Sequence, residues 1–442
     1  MKKNKTLLIL KKDFVTKEFE TNSKFFSEWF GYYNYDVIDV SGKKMLCGRV
    51  SFDGRSISSD DTVELGWYNI ESGEWNYIGE SDSFNWQQGA MLQWIPTERN
   101  KVAFNCSNKN HFFTSIIDIS SKEKRTIPFP VYCITPDGKQ SISLNYERSY
   151  WCRAYHYAPI QNKKYDVDVA EDDGIFSVNL QTGYIKRIIA IQDVIKKDWD
   201  PCFANAKHWF EHIMINKSGT RIVFLHRFVT KGSLSYNTRI CLSDIDGKNL
   251  KIIQGWKTKL WSHFGWKGND SFVIYCQKRN KLQYEIAAKN EKKTNHGFKY
   301  VIKTIVKKIT PPFIREIFWP KKSFYEQYDF IDGEFIRTCV YDQRIFDIDG
   351  HPSFTKDGKY MITDSYPDKR GYQRLIIFNT ETKKGIIVAK IFAPLSHTPA
   401  SCDLHPKVCF NDTKIVVDTA YTGKHKMVLF NINWDVIRKK IS

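Results

Sequence analysis

The chain has 442 residues, 42% of them hydrophobic and 15% aromatic, with a formal net charge of +18. That length and ring content exclude a disordered chain and supply a core large enough to fold without disulfides or a structural metal. The charge calls for an acidic partner, and on composition alone nucleic acid, anionic lipid and acidic glycan all qualify.

The N-terminus reads MKKNKTLLILKKDF, and its apolar run Leu7–Leu10 is too short for a signal peptide. No stretch is long and apolar enough to span a bilayer. The ten cysteines are scattered without a CxxC pair, which excludes a zinc ribbon and a thioredoxin-type motif and suits a reducing compartment. We therefore expect a cytoplasmic protein. Residues 1–35 form an N-terminal segment in which Thr6–Leu10 could add a closing strand to the last repeat.

From residue 36 onward two patterns alternate. One is a short apolar segment, a tight Asp/Asn/Gly turn and a β-type run: ITPDGKQSISLN (134–145), INKSGTRIVFLH (215–226), WKGNDSFVIYC (266–276), FTKDGKYMITDS (354–365) and CFNDTKIVVDTA (409–420), with a looser copy, WIPTERNKVAFN, at 94–105. The other is a strand–turn–strand unit such as WYNIESGEWNYI (67–78), SVNLQTGYIKRI (177–188), LSDIDGKNLKII (242–253) and IFNTETKKGIIV (377–388). Each is a hairpin by its alternation around turn residues, and two hairpins make one four-stranded blade. Blade starts near residues 36, 86, 131, 210, 262, 351 and 404 predict an all-β, seven-bladed β-propeller over 36–442.

Two insertions make the spacing uneven. The first, about 146–172, carries Tyr150, Trp151, Tyr155 and Tyr157, rings of the kind that stack on sugars. The second, about 285–335, is strongly basic: between Lys278 and Tyr325 there are 13 Lys/Arg against Glu285, Glu291 and Glu316. Within it Phe298, Val301, Ile302, Ile305, Val306 and Ile309 recur at helical spacing opposite Lys299, Lys303, Lys307 and Lys308, ending at Pro311-Pro312. This predicts a basic amphipathic helix. It suits either packing on the propeller flank or peripheral contact with an anionic membrane through 296–322 at the inner membrane face, and we favour both over nucleic acid.

One regularity runs through four repeats. In FEHIMINKSG, WSHFGWKGND, DGHPSFTKDG and DLHPKVCFND a histidine precedes the turn by six or seven residues: His212, His263, His351 and His405. Such positions open the innermost strand of a blade, so four imidazoles should ring one mouth of the central channel. Imidazole is a common ligand for divalent first-row metals, so we expect a metal site completed by an amide or carboxylate oxygen. Gln87 or Gln88, in NWQQGAMLQW, is a candidate oxygen ligand. The loops returning to the same mouth carry Tyr146 and Arg148, His226 and Arg227, Asp364 and Tyr366, and Asp418, with Trp151 added by the first insertion. Arginine beside a metal suits a carboxylate-bearing substrate. No GxGxxG, Walker loop, HExxH or GxSxG motif is present.

These histidine-bearing segments, above all HPSFTKDGKYMITDSYPD and CDLHPKVCFNDTKIVVDTAYTGKHKMVLFNI, resemble the oligogalacturonate lyase group of seven-bladed propellers over roughly residues 36–433, apart from the basic insertion. The resemblance implies a divalent metal, manganese, held by three histidines and a glutamine, which neutralises a uronate carboxylate while the C5 proton is removed. It implies His263, His351 and His405 as ligands with Gln87 or Gln88 as the amide. It sets His212 near the substrate, with His212, His226 and Arg227 as candidates for the proton-transferring groups. Arg148, Tyr146, Trp151, Asp364, Tyr366 and Asp418 are the expected substrate contacts, and the substrate is an acidic oligosaccharide or polysaccharide. The basic insertion departs from the group and suits a membrane-linked glycan precursor. The alternative is a non-catalytic propeller that binds glycan or protein partners at the membrane surface.

Overall fold

A computed structural model describes residues 6–108, 110–148, 157, 167–233, 236–279 and 323–442. Every expected hairpin is present, and they assemble into seven antiparallel sheets. Blades one to seven begin with innermost strands Ser27–Trp29, Gln93–Trp94, Cys133–Ile134, Ala206–Ile215, Lys259–Trp266, Ser353–Phe354 and Lys407–Cys409. The strands alternate apolar residues between neighbouring blades, so the core is a ring of inter-blade clusters rather than one central mass.

The first blade begins at Ser27, nine residues before the expected boundary at 36. Its innermost strand is interrupted: after Trp29 the chain leaves the sheet, and pairing resumes at the bridge from Ile38 to Met45. Ring closure also differs from expectation. Leu8–Leu10 adds a fifth strand to blade six, and Val15–Glu20 is the outer strand of blade seven, paired with Lys426–Ile432. The closing strand is therefore the second segment of the N-terminus. Thr6–Leu10 supports its neighbour.

The first insertion leaves blade three between Gln140–Leu144 and Gly174–Asn179 as expected. The second is shorter than its expected 285–335, because Ser323–Ile331 and Glu334–Tyr341 are the outer strands of blade five. The amphipathic segment 296–322, and with it the expected membrane contact, lies outside the described residues, as does Trp151. Among the described residues no helix is long and apolar enough to cross a membrane.

Candidate functional site

The four repeat histidines do converge. His212, His263, His351 and His405 line one cavity of about 680 Å³ at a mouth of the channel. Ring centroids are 4.0 Å apart for His263 and His351, 4.3 Å for His351 and His405, and 5.9 Å for His212 and His263. In blades six and seven the histidine precedes the innermost strand. In blades four and five it sits inside the strand, at a register shift between Glu211 and Met214 and between Trp261 and Phe264. A bulge adds a residue on one strand and re-aims its side chain, which turns these two histidines into the channel.

His351, Asp403 and His405 offer ligand atoms that all lie within 4.8 Å of one another. Their surroundings fit a bound cation. The Asp364 carboxylate lies 2.9 and 3.0 Å from His351 Nδ1, which sets the ring's tautomer and leaves Nε2 to coordinate. Burial alone would lower the His351 pKa, but the Asp364 charge outweighs it and the net shift is upward. His405 donates from Nδ1 to the Gly31 carbonyl at 3.1 Å, and burial together with His351 holds it well below the usual histidine range, neutral and ready to ligate. Burial pushes the Asp403 carboxyl up to about 7, with His351 opposing and Asp364 adding to the rise. A carboxyl so crowded by neighbouring carboxylates gains from a cation. Gln88 lines the same cavity, gives its Nε2 to the Tyr132 hydroxyl at 3.0 Å, and keeps a buried Oε1 with no hydrogen-bond partner, as an oxygen ligand would.

His263 falls outside that ligand trio. Its Nδ1 is engaged by Asp349 at 3.2 Å and Ser262 at 3.0 Å, and burial lowers its pKa. The trio thus takes Asp403 where the resemblance implied a third histidine. Arg227, 2% exposed, also lines the cavity; it pairs with Glu211 at 2.9 Å and lies 4.4 Å from the Tyr236 ring. Its Nε and Nη1 have no hydrogen-bond partner, because the Glu211 contact lacks hydrogen-bond geometry. Tyr366 stands over the cavity with its ring 5.6 Å from His351 and 6.1 Å from His263.

Other expected site residues take different places. His226 neighbours Arg227 on a strand, so the two point to opposite faces. The His226 ring is wholly buried against His208, 3.0 Å away, and burial drives its pKa well down. It does not reach the cavity. Arg148 is spent on main-chain carbonyls, reaching His208 at 3.1 Å and Asp168 at 2.9 Å. Tyr146 is buried and stacked on Tyr157 at 4.6 Å. Neither lines the cavity. Asp364 and Asp418 are buried beneath the histidines, where they hold other residues in place rather than facing a ligand.

The sequence reading missed Asp403, Asp349, Tyr32 and Tyr33. Asp403 stands two residues before His405, a spacing that lets both side chains reach one side of an extended chain. The tyrosines come from the segment assigned to the N-terminal extension.

No protein-family model matches the sequence, and no curated protein matches it. Among solved structures, an oligogalacturonate lyase in complex with manganese is similar, with a TM-score of 0.61 and 13% identity over 98% of each chain. An oligogalacturonate lyase from Vibrio parahaemolyticus gives 0.57 at 13% identity, over 94% of this chain and 93% of that one. Kuenenia stuttgartiensis hydrazine synthase gives 0.50 at 10% identity, over 90% and 95%. The fold is that of the oligogalacturonate lyase propellers. At such identities the likeness speaks for the propeller and leaves the chemistry of this lyase-like chain to its own residues.

Proposed function

We propose that this lyase-like propeller is a metal-dependent enzyme that cleaves an acidic, uronate-containing glycan by β-elimination, with manganese as its ion. The observation that carries the reading is the convergence of His351, Asp403 and His405 beside a buried arginine whose Nε has no hydrogen-bond partner. The similar lyase that holds manganese supports the choice of ion. When bound, the cation would draw charge from the substrate carboxylate and make the adjacent C–H more acidic.

The chain's own residues do the rest. His351 and His405 would hold the ion through Nε2, with Asp403 and the Gln88 side-chain oxygen completing the set. Arg227, held rigid by the Glu211 contact at Nη1, offers its Nε to the uronate carboxylate. His212 has its Nδ1 engaged by the Tyr32 hydroxyl at 2.7 Å, so Nε2, 3.5 Å from Glu211, is the nitrogen that exchanges a proton. Removal of the C5 proton leaves an electron pair that forms the C4–C5 double bond as the C4–O bond breaks, and the departing sugar oxygen takes up a proton. Tyr366 and Tyr236 offer ring faces to the sugar.

The test is incubation of the manganese-loaded protein with a panel of uronate glycans while following the ultraviolet absorbance of 4,5-unsaturated uronate. Turnover that Arg227→Lys reduces at least tenfold supports the reading. Silence across the panel overturns it.

A further inference from the structure

Two histidines of the cavity have backbone conformations that side-chain-bearing residues rarely adopt: His212 at φ 52° and His405 at φ 43°. Such conformations persist only where the surroundings hold them. Both histidines are held at Nδ1 by the same short stretch of chain, the excursion that interrupts the innermost strand of blade one. The Gly31 carbonyl accepts from His405 Nδ1 at 3.1 Å, and the next residue, Tyr32, places its hydroxyl 2.7 Å from His212 Nδ1 with its ring stacked parallel to the imidazole.

The excursion is pinned in turn. Asp418 accepts the Phe30 and Gly31 amides at 2.9 and 3.0 Å, and the Lys407 ammonium bridges Asp418 Oδ2 and the His405 carbonyl, both at 3.0 Å. On its other side Gly31, at φ 120°, crosses Gln88–Gly89 so closely that a Cβ would stand 2.5 Å from the Gln88 carbonyl carbon. At the channel end the Tyr33 hydroxyl donates to the Phe264 carbonyl at 2.8 Å.

We infer that the Phe30–Tyr33 excursion is the element that sets the nitrogens of the site, with Asp418 and Tyr32 as positioning residues for His405 and His212 respectively. A carbonyl can only accept, so Gly31 compels the Nδ1–H tautomer on His405 and keeps Nε2 as the lone pair that a cation needs. Asp418 acts at one remove, because its carboxylate fixes the two amides that aim that carbonyl. Lys407 locks the same carboxylate to the His405 main chain. Tyr32 holds the other imidazole through its hydroxyl, while only its ring meets His405, edge-on at 5.3 Å, so removing the hydroxyl spares that contact. The two roles are therefore separable by single changes. The part that concerns coordination rests on the proposed metal site; the part that concerns tautomers does not.

The experiment uses the full chain labelled with 15N-histidine, read by long-range nitrogen–proton correlation without metal and then titrated with manganese by calorimetry. In the wild type His405 should show the fixed Nδ1–H tautomer. Asp418→Asn, or Asp418→Asn with Lys407→Met so that no buried charge is stranded, should give a mixture of tautomers on His405 and weaken manganese about 10- to 100-fold. Tyr32→Phe should move only the His212 nitrogen signals, leave manganese affinity within about twofold, and lower kcat rather than raise KM. A His405 tautomer that survives both Asp418 variants in a folded chain overturns the inference, whatever the metal result. Wild-type protein that shows the tautomer but binds no manganese overturns the metal reading and leaves the positioning role standing.

Discussion

The two ends of the channel are built on the same innermost strands and carry different sets of polar groups. At the end away from the histidines, a cavity of about 530 Å³ is lined by strand ends from several blades. There Lys217 donates to the main-chain carbonyls of Thr355 and Lys356 at 3.0 and 2.9 Å, while the Lys356 ammonium reaches Asn411 at 2.7 Å. Blades four, six and seven are stitched together by donors that find acceptors. At the histidine end Asp349, Asp364 and Asp403 crowd around His351, and Asp403 is pushed up to about 7 by burial. Gln88 keeps an oxygen and Arg227 an Nε without a hydrogen-bond partner. The far end has such an atom too, Asn34 Oδ1, but the histidine end sets its own beside crowded imidazoles and carboxylates, which is the combination a bound ligand would complete.

The comparison is broken most severely by His351→Ala. Loss of one of two imidazoles from the trio should reduce bound manganese from about one equivalent to a trace in elemental analysis of tag-free protein, with affinity down ~100-fold or more. The far end should not respond, and the thermal midpoint of the metal-free chain should move only modestly. Full metal occupancy in the variant would place the ion elsewhere. Asp364→Asn tests the layer beneath. The ring remains but its orienting charge is gone, so manganese should bind about 10- to 100-fold more weakly in calorimetry. An unchanged Kd would reduce Asp364 to a packing role.

How far the sequence reveals this molecule depends on what repeats. Seven blades and the channel-mouth histidines were legible because the turn and the histidine recur at fixed spacing in HIMINKSG, HPSFTKDG and their relatives. Ring closure was harder to read, since Thr6–Leu10 and Val15–Glu20 are both plausible strands and only pairing partners distinguish them. Asp403 was legible in principle, since Asp349-Gly350-His351 and Asp403-Leu404-His405 share an Asp-x-His pattern, whereas Tyr32 occurs once and carries no periodic signal. Strand alternation was available and would have separated Arg227 from its neighbour His226, since only one of two adjacent residues can face the channel. Arg148 misled because an arginine in a loop looks like a ligand-binding group, whereas this one satisfies main-chain carbonyls under the loop. The basic segment 296–322 is a sequence finding that the described residues leave untouched.

The wall of the cavity offers a subtler test. His425 is buried and stacked 4.4 Å from Trp86, a lining residue, and neither ring nitrogen has a hydrogen-bond partner. Burial drives its pKa down to about 3. The unfolded chain therefore binds this proton below pH 6.5 while the folded chain refuses it down to about pH 3. Stability from this group is complete above pH 6.5 and is lost as the pH falls, by about 1.4 kcal/mol per unit. His425→Phe removes the ionisable ring and keeps the stack. Between pH 6.5 and 5 the variant should gain about 2 kcal/mol on the wild type in denaturant melts, with little difference at pH 7.5. A pH-independent difference would mean that the folded protein accepts the proton, and that the wall is more open than its packing indicates.

The smallest effect belongs at the stitched end. Lys217→Met keeps the length of the side chain and removes the ammonium that joins two carbonyls between blades four and six. Those carbonyls would then face a cavity wide enough to admit water, so the loss should be about 1 kcal/mol rather than the full penalty of stranded acceptors. Manganese affinity should stay within about twofold, because Tyr33 stands between the far cavity and the histidines, its hydroxyl fixed to Phe264 and its ring against His351 and His405. If Lys217→Met instead weakens manganese as strongly as Asp364→Asn, Tyr33 transmits strain along the channel. The two ends would then be one cooperative unit, and the stitching lysine would count among the groups that shape the site.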